Sequence, residues 1–124
     1  MRILLAEDER INQIYMKHML GRAGHEVLVA GSGTEVLEML RADSCDLVLM
    51  DVQMPEMDGL EATHRIRTGE VGVDRRDIPI VALTAFSSDD DRVEYREAGV
   101  TTTLTKPVDE AKLLEVIDTL TADR

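Results

Sequence analysis

Five polar side chains that together could carry out phosphoryl transfer follow short apolar or β-branched runs in this 124-residue chain. They are Glu7 and Asp8 after the first run, Asp51 after the third, Thr84 after the fourth and Lys106 after the fifth. Phosphoryl transfer needs an in-line nucleophile and neutralised charge, with little other chemistry. A carboxylate can act as the nucleophile, while an ammonium and a hydroxyl can contact the phosphate oxygens. The set therefore predicts a phosphoryl-transfer site with Asp51 as the nucleophile.

The runs themselves predict buried β-strands. Each is short for a helix and is bounded by polar residues, as expected of strands that are covered on both faces of a sheet. The last run is predicted from its β-branched residues. The predicted strands are Ile3–Ala6, Val27–Ala30, Leu47–Met50, Ile80–Leu83 and Thr101–Thr105.

Apolar residues at spacings of three and four predict a helix after each strand, whereas residues 68–78 lack such a period and predict a loop. In the first helix these residues are Ile11, Ile14, Tyr15, Met19 and Ala23, with Gly24 as the expected stop. In the second and fifth helices they are Val36, Leu37 and Leu40, and Leu113, Leu114, Ile117 and Leu120.

The third and fourth helices flank the predicted site. The third is expected to begin near Asp58 or Gly59 and to turn inward Leu60, Thr63 and Ile66. The fourth, about residues 88–98, is weakly patterned, and its anchors are Val93, Tyr95 and Ala98. It is therefore expected to be the least firmly held helix, with the acidic run at residues 89–91 complementing the dipole at its N-terminus.

The alternation of strands and helices predicts an α/β fold, with a parallel sheet and helices on both faces. No linker, repeat or low-complexity segment interrupts it, so residues 1–124 are expected to form one domain. The carboxyl ends of parallel strands lie on one edge, where open α/β sheets carry their sites. The five polar side chains are therefore expected to converge there.

Bulk composition excludes several classes of function. The net charge of −11 repels phosphate backbones and argues against direct nucleic-acid binding. No apolar stretch is long enough to span a membrane, and the N-terminus is predicted as a strand rather than a signal peptide. The single Cys45 excludes an internal disulfide and fits the reducing cytoplasm.

The neighbouring carboxylates predict a metal ion. Three carboxylates that repel one another need a cation, and oxygen ligands without cysteine or a well-placed histidine favour Mg²⁺. Octahedral coordination could be completed by a backbone carbonyl near Gln53, by phosphate and by water.

Four segments, in this order, give the chain a resemblance to the receiver domain of two-component response regulators. They are residues 3–8, Asp51-Val52-Gln53-Met54-Pro55-Glu56-Met57-Asp58-Gly59, Leu83-Thr84-Ala85 and Lys106-Pro107. The resemblance implies the flavodoxin-like three-layer fold, with five parallel strands in the order 2-1-3-4-5 and five helices. The pair Glu7-Asp8 and residues 53–62 are similar in style to receivers attached to hybrid histidine kinases.

The resemblance also implies a role for each site residue. Asp51 would accept a phosphoryl group from a phosphohistidine on a sensor histidine kinase or histidine phosphotransfer protein. Mg²⁺ would be bound by Asp8, Asp51 and the carbonyl of Gln53, with Glu7 acting through water. Lys106 would bind the phosphate, and Thr84 would reorient toward it. The bond between Lys106 and Pro107 would be cis.

A receiver is a signalling switch rather than a metabolic enzyme, although it catalyses its own aspartyl phosphorylation and slow dephosphorylation. In the family, residues at the positions of Gln53 and Phe86 tune the hydrolysis rate. One departure concerns Thr103, three residues before the lysine, where the family often has an aromatic side chain that swings inward. The aromatic part of the usual switch is therefore missing from this position.

Three alternative functions are less well supported by the sequence. Gly31-Ser32-Gly33 follows a strand and precedes a helix, as in a dinucleotide-binding motif, but Val36 replaces the third glycine. A haloacid-dehalogenase-like phosphatase would need a second aspartate at the position of Gln53, whose amide cannot serve as a general acid. A receiver fold that binds partners without phosphorylation is the third alternative, and the complete site argues against it.

Overall fold

A computed structural model describes residues 1–86 and 88–122. The strands are β1 (Arg2–Ala6), β2 (Glu26–Ala30), β3 (Leu47–Asp51), β4 (Ile80–Thr84) and β5 (Thr102–Thr105). The helices are α1 (Arg10–Arg22), α2 (Gly33–Ala42), α3 (Gly59–Arg67), α4 (Asp89–Ala98) and α5 (Glu110–Thr121), with a 3₁₀ turn at Val73–Arg75. Within the described ranges, no helix has the length and apolar character that crossing a membrane requires.

The five strands form one sheet in the order β2-β1-β3-β4-β5, and every neighbouring pair is parallel. This confirms the predicted flavodoxin-like α/β fold with its strand order and five helices. Asp51 stands in register with Leu83 on β4, and Thr84 stands in register with Thr105 on β5. The register therefore brings the ends of the third, fourth and fifth strands to one edge of the sheet.

Alternating side chains of the strands feed two separate cores, because successive residues of a strand point to opposite faces. On one face Leu4, Val48 and Met50 pack with residues of α2 and α3. On the other face Leu5 and Leu49 pack with residues of α1 and α5. Since both faces are covered, every residue of β3 and β4 is buried, which explains why these strands are apolar up to their last residues, Asp51 and Thr84.

Of the residues that predicted α1, Met19 lies on the buried face of the helix, whereas Ile11 and Ile14 do not. Its buried side chains are Met16, Met19 and Leu20, which also follow the spacing of three and four. Ile11 is 81% exposed and Ile14 is 57% exposed. The sequence thus contains two apolar stripes on α1, and only one can face the sheet.

The helix α4 is held by few side chains, as predicted. Tyr95 is its buried residue, whereas Val93 is exposed, so that predicted anchor is wrong. A capping box begins the helix, because Ser88 Oγ accepts from the backbone N–H of Asp91 and Asp91 accepts from that of Ser88. The acidic run occupies the first turn, also as predicted.

The predicted loop at residues 68–78 contains the 3₁₀ turn, which the pattern did not reveal because it is only three residues long. Its flanking residues Val71 and Ile78 are buried in the core that also contains α2 and α3. The segment is therefore packed against the domain at both ends of the turn.

Candidate functional site

Asp51 is the last residue of β3, and its carboxylate is fixed from two sides. Oδ1 accepts a hydrogen bond of 3.0 Å from the backbone N–H of Gln53. Oδ2 lies 3.0 Å from Nζ of Lys106, and the side chain of Asp51 is only 3% exposed. Both oxygens of this buried carboxylate are therefore held in place, and one ammonium balances its charge.

Glu7 and Asp8 complete an acidic cluster at the end of β1. One carboxylate oxygen from each of Glu7, Asp8 and Asp51 lies within 4.8 Å of the others. Glu7 is buried and Asp8 is exposed. The pKa of Glu7 is raised to about 7, mainly by burial and also by the neighbouring Asp51, although the backbone N–H of Glu9 and the ammonium of Lys106 oppose the rise. The cluster therefore concentrates negative charge that a bound cation would relieve.

The donor set of this cluster fits Mg²⁺. All three groups offer carboxylate oxygens, the ligands that hard cations prefer, and no nitrogen or sulfur ligand belongs to the cluster. The exposed Asp8 opens the cluster toward solvent, which suits an ion that retains several waters.

Thr84 reaches the same edge of the sheet, but its hydroxyl is engaged elsewhere. Oγ1 accepts from the backbone N–H of Phe86 at 3.0 Å and lies 3.0 Å from the hydroxyl of Tyr95. It also donates to the Phe86 carbonyl at 3.2 Å. The expected convergence on Asp51 is therefore found for the carboxylates and the ammonium, whereas the threonine hydroxyl is directed toward α4.

Lys106 is positioned by its own backbone as well as by Asp51. Its N–H donates to the carbonyl of Thr84 at 2.7 Å, and the peptide bond to Pro107 is cis, as the resemblance implied. These constraints place the ammonium at the edge where β3 and β4 end.

Gln53 and Phe86 are both exposed and line one open cavity beside the site. Thr103 is half-buried on β5 and lines a different cavity, next to residues of α4. The positions that flank Asp51 and Thr84 are thus accessible to solvent, and no aromatic ring occupies position 103.

Tyr95 is the residue of this region that sequence reasoning did not assign to the site. It was predicted as an anchor of α4, and the structure adds a hydrogen-bonded hydroxyl next to Thr84. Two signals pointed toward it. It is the single large aromatic of a weakly patterned helix, and the usual aromatic is missing at Thr103.

The glycine-containing segment after β2 is a helix cap. Ser32 Oγ accepts from the backbone N–H of Glu35, and the Glu35 carboxylate accepts from that of Gly31. A Cβ on Gly33 would lie 2.6 Å from the carbonyl oxygen of Met57, so the absence of a side chain there serves packing against the β3–α3 loop. These contacts account for the segment without a bound nucleotide.

The fold and the acidic edge are those of a signalling receiver, and comparison with known proteins agrees. The model of the response regulator receiver domain matches residues 3–118. The chain therefore belongs to the response regulator receiver domain family and is a receiver of two-component signalling.

Two relatives illustrate the settings in which such receivers occur. The polar-differentiation response regulator DivK of Brucella abortus (strain 2308) is 31% identical over 121 residues, which span 98% of this chain and 96% of DivK. The sensor protein GacS of Pseudomonas syringae pv. syringae is 36% identical over 116 residues, which span 94% of this chain but 13% of GacS.

Solved structures agree over nearly the whole chain. The receiver domain of sensor histidine kinase PA1611 from Pseudomonas aeruginosa PAO1 has a TM-score of 0.89 at 32% identity, covering 98% of both chains. That structure has a magnesium ion coordinated in its active site cleft. Chemotaxis protein CheY4 of Vibrio cholerae has a TM-score of 0.88 at 28% identity, covering 96% of this chain and 97% of its own.

Proposed function

We propose that residues 1–124 act as a single receiver domain whose signalling is switched by phosphorylation of Asp51. The observation that carries the proposal is the environment of its carboxylate. It is buried at the end of β3, paired with Lys106 at 3.0 Å and adjacent to two further carboxylates. A purely structural acid would have no need of this concentration of like charge.

In the proposed reaction a carboxylate oxygen of Asp51 attacks the phosphorus of a phosphohistidine. A P–O bond forms as the P–N bond breaks, and the imidazole leaves with the electron pair and is neutralised by a proton. Lys106 can contact a phosphoryl oxygen without leaving the site, because its ammonium has three donors. The backbone N–H of Gln53 keeps the Asp51 carboxylate oriented.

The proposed cofactor is Mg²⁺, held by Asp8, Asp51 and the carbonyl of Gln53, with Glu7 acting through water. When bound, the ion supplies charge neutralisation for the carboxylates and the phosphoryl oxygens. This assignment is supported by the all-oxygen cluster, and magnesium in the cleft of the PA1611 receiver is consistent with it.

The phosphoryl group is removed by slow hydrolysis at the same site. Thr84 turns its hydroxyl toward the phosphoryl group once Asp51 is modified. Gln53 and Phe86 tune the access of the attacking water, a role that is supported by the open cavity that both side chains line. The domain thereby resets itself and does not act as a metabolic enzyme.

The phosphodonor is a sensor histidine kinase or a histidine phosphotransfer protein, and it docks on the exposed apolar stripe of α1. Ile11 and Ile14 lie on this stripe. Between α1 and Lys106 lies a cavity of about 400 Å³, whose lining includes Asn12, the neighbour of Ile11.

The net charge of −11 disfavours nucleic acid as a direct partner. The single Cys45, which is free, suits a cytoplasmic location.

Mass spectrometry of the intact chain after incubation with acetyl phosphate and Mg²⁺ tests the proposal. We expect the mass of one added phosphoryl group on the wild type and on Asp58→Asn, a matched carboxylate change in the following loop. No addition is expected on Asp51→Asn or without Mg²⁺. Equal labelling of the wild type and Asp51→Asn would overturn the assignment.

Two further outcomes would support the alternatives. A wild-type chain that is never labelled would favour the phosphorylation-independent binding module. Repeated turnover of a phosphomonoester would favour a haloacid-dehalogenase-like phosphatase.

A further inference from the structure

Tyr95 connects α4 to the site threonine. Its ring is 4% exposed and packs with Val52 and Ala82. Its hydroxyl lies 3.0 Å from Thr84 Oγ1 and donates to the carbonyl of Phe86 at 2.9 Å. Within α4, all of which is described, Tyr95 is the buried side chain. Any change in its hydrogen bonds therefore acts on a principal attachment of this helix.

The hydrogen bonds around Thr84 use its hydroxyl proton completely. The hydroxyls of Thr84 and Tyr95 have one proton each, and both groups can donate to the Phe86 carbonyl or to each other. The Phe86 N–H occupies a lone pair of Thr84 Oγ1. Two protons serve these three contacts, so at most two of the contacts are hydrogen bonds at one time, and in each such pairing the Thr84 proton goes to Phe86 or Tyr95 and is not directed at Asp51.

A phosphoryl group on Asp51 would compete for this proton. To donate to a phosphoryl oxygen, Thr84 must give up its bond to Tyr95 or to the Phe86 carbonyl. We infer that Tyr95 is the positioning residue that holds the Thr84 hydroxyl away from Asp51 before phosphorylation and passes its release to α4. The inference rests on the proposed function, because it requires that Asp51 be phosphorylated.

The arrangement also explains how the domain functions with Thr103 in place of an aromatic residue. Position 103 lies on β5, whereas Tyr95 lies on α4 and contacts Thr84 directly. The aromatic side chain that contacts Thr84 thus belongs to the helix, and a movement of the Thr84 hydroxyl reaches α4 without a side-chain movement on β5.

The test is Tyr95→Phe, which keeps the ring and removes the hydroxyl. The probe is beryllium fluoride with Mg²⁺, a non-covalent mimic of the aspartyl phosphoryl group, titrated in a calorimeter. Since the variant loses a hydrogen bond that favours the unphosphorylated arrangement, the apparent affinity should rise roughly two- to tenfold. Tyr15→Phe, which removes the exposed phenol of α1, should leave the affinity unchanged. An affinity of Tyr95→Phe equal to that of the wild type would overturn the inference.

A double-mutant cycle separates positioning from loosened packing. Thr84→Val removes the hydroxyl with little change of shape, so Tyr95→Phe should have no effect on affinity in that background. The same shift in both backgrounds would show that the effect does not pass through Thr84, and the inference would fail.

A spectroscopic measurement reports on Tyr95 itself. The chain has no tryptophan and two tyrosines, so Tyr95 is the only fluorescent side chain of this kind in the Tyr15→Phe variant. Addition of beryllium fluoride and Mg²⁺ should change its emission. Constant emission at saturation would count against the inference alone, whereas a wild type that binds no beryllium fluoride would count against the proposed function.

Discussion

The ammonium of Lys106 lies 3.0 Å from Oδ2 of Asp51, so the cation proposed to bind the phosphoryl group is paired with the proposed nucleophile. The pair is asymmetric, because 29% of the lysine side chain and 3% of the aspartate side chain are exposed. Glu7 and Asp8 lie beside Asp51 and add further carboxylates, but no positive charge, to the site. We therefore expect Lys106 to contribute to the stability of the unmodified domain as well as to the proposed chemistry.

Replacement of this lysine by methionine should show how much the acidic cluster destabilises the folded state when it loses its positive partner. Lys106→Met leaves a buried carboxylate without its partner, so the free energy of unfolding should fall by about 1–2 kcal/mol, less than for a fully buried pair because Lys106 is partly exposed. Excess Mg²⁺ should restore part of the loss, since it binds the folded cluster. Urea unfolding with and without Mg²⁺ measures both effects.

The matched control for this experiment is Lys112→Met, at an exposed position on α5. It should change the unfolding free energy by no more than about 0.5 kcal/mol. If the two variants were equally stable in the absence of Mg²⁺, the ion pair with Asp51 would have no structural role.

The close approach of Gly59 to β3 predicts a second sensitive position. A Cβ on this residue would lie 2.5 Å from the carbonyl oxygen of Asp51 and 2.7 Å from Cγ of Met50. Gly59→Ala should therefore lower stability by about 1–3 kcal/mol, the range for an overpacked core, and displace the end of β3. It should also slow labelling by acetyl phosphate, because the nucleophile moves with the strand.

Gly21→Ala in α1 provides the contrast. Among the described residues, no atom outside the helix's own backbone and the two chain neighbours of Gly21 lies within 4 Å of the added methyl group. Alanine also favours the helical state, so this variant should be more stable by about 0.5–1 kcal/mol. Thermal or urea unfolding of both variants decides the point, and a Gly59→Ala variant as stable as the wild type would contradict the described packing.

The exposed stripe of α1 predicts that one substitution can slow phosphotransfer from a protein donor without slowing labelling by a small-molecule donor. Ile11→Lys places a charge on the proposed docking surface, so phosphotransfer from a phosphorylated histidine kinase should slow by at least about tenfold. Labelling by acetyl phosphate should not change, because Asp51 and Lys106 are untouched. Val73→Lys, at an exposed apolar residue far along the chain, should affect neither rate, and an equal loss with both donors would refute docking at Ile11.

The strands and the acidic part of the site were predictable because each depends on a local pattern. A strand buried on both faces is an apolar run, and the residue after it lies at the edge where sites form. This reasoning assigned Asp51 and Lys106 to one edge of the sheet, where their side chains lie 3.0 Å apart. It could not choose between the Ile11 stripe and the Met16 stripe of α1, since both have helical spacing. The bond between Thr84 and Tyr95 joins different elements, and no local period signals it.

The stabilising contacts of Arg67 were also not predictable from local sequence patterns, because its partners are distant in the chain. At the end of α3 its guanidinium donates to the carbonyls of Arg76, Ile78 and Gly99 and to Thr101 Oγ1, at 2.6–3.2 Å. These bonds fasten the connections before β4 and β5 to α3. Burial lowers the pKa of Arg67, and the bonds are formed with neutral oxygens.

Arg67→Lys should therefore be strongly destabilising despite the conserved charge. A single ammonium cannot span four acceptors that surround a planar fork, so the partly buried carbonyls of Ile78 and Gly99 lose donors and the unfolding free energy should fall by about 2–4 kcal/mol. Arg65→Lys, whose partners Glu61 and Glu70 lie at the surface, should cost no more than about 0.5 kcal/mol. Urea denaturation of the two variants makes the comparison, and similar midpoints would mean that the Arg67 bonds contribute little net stability.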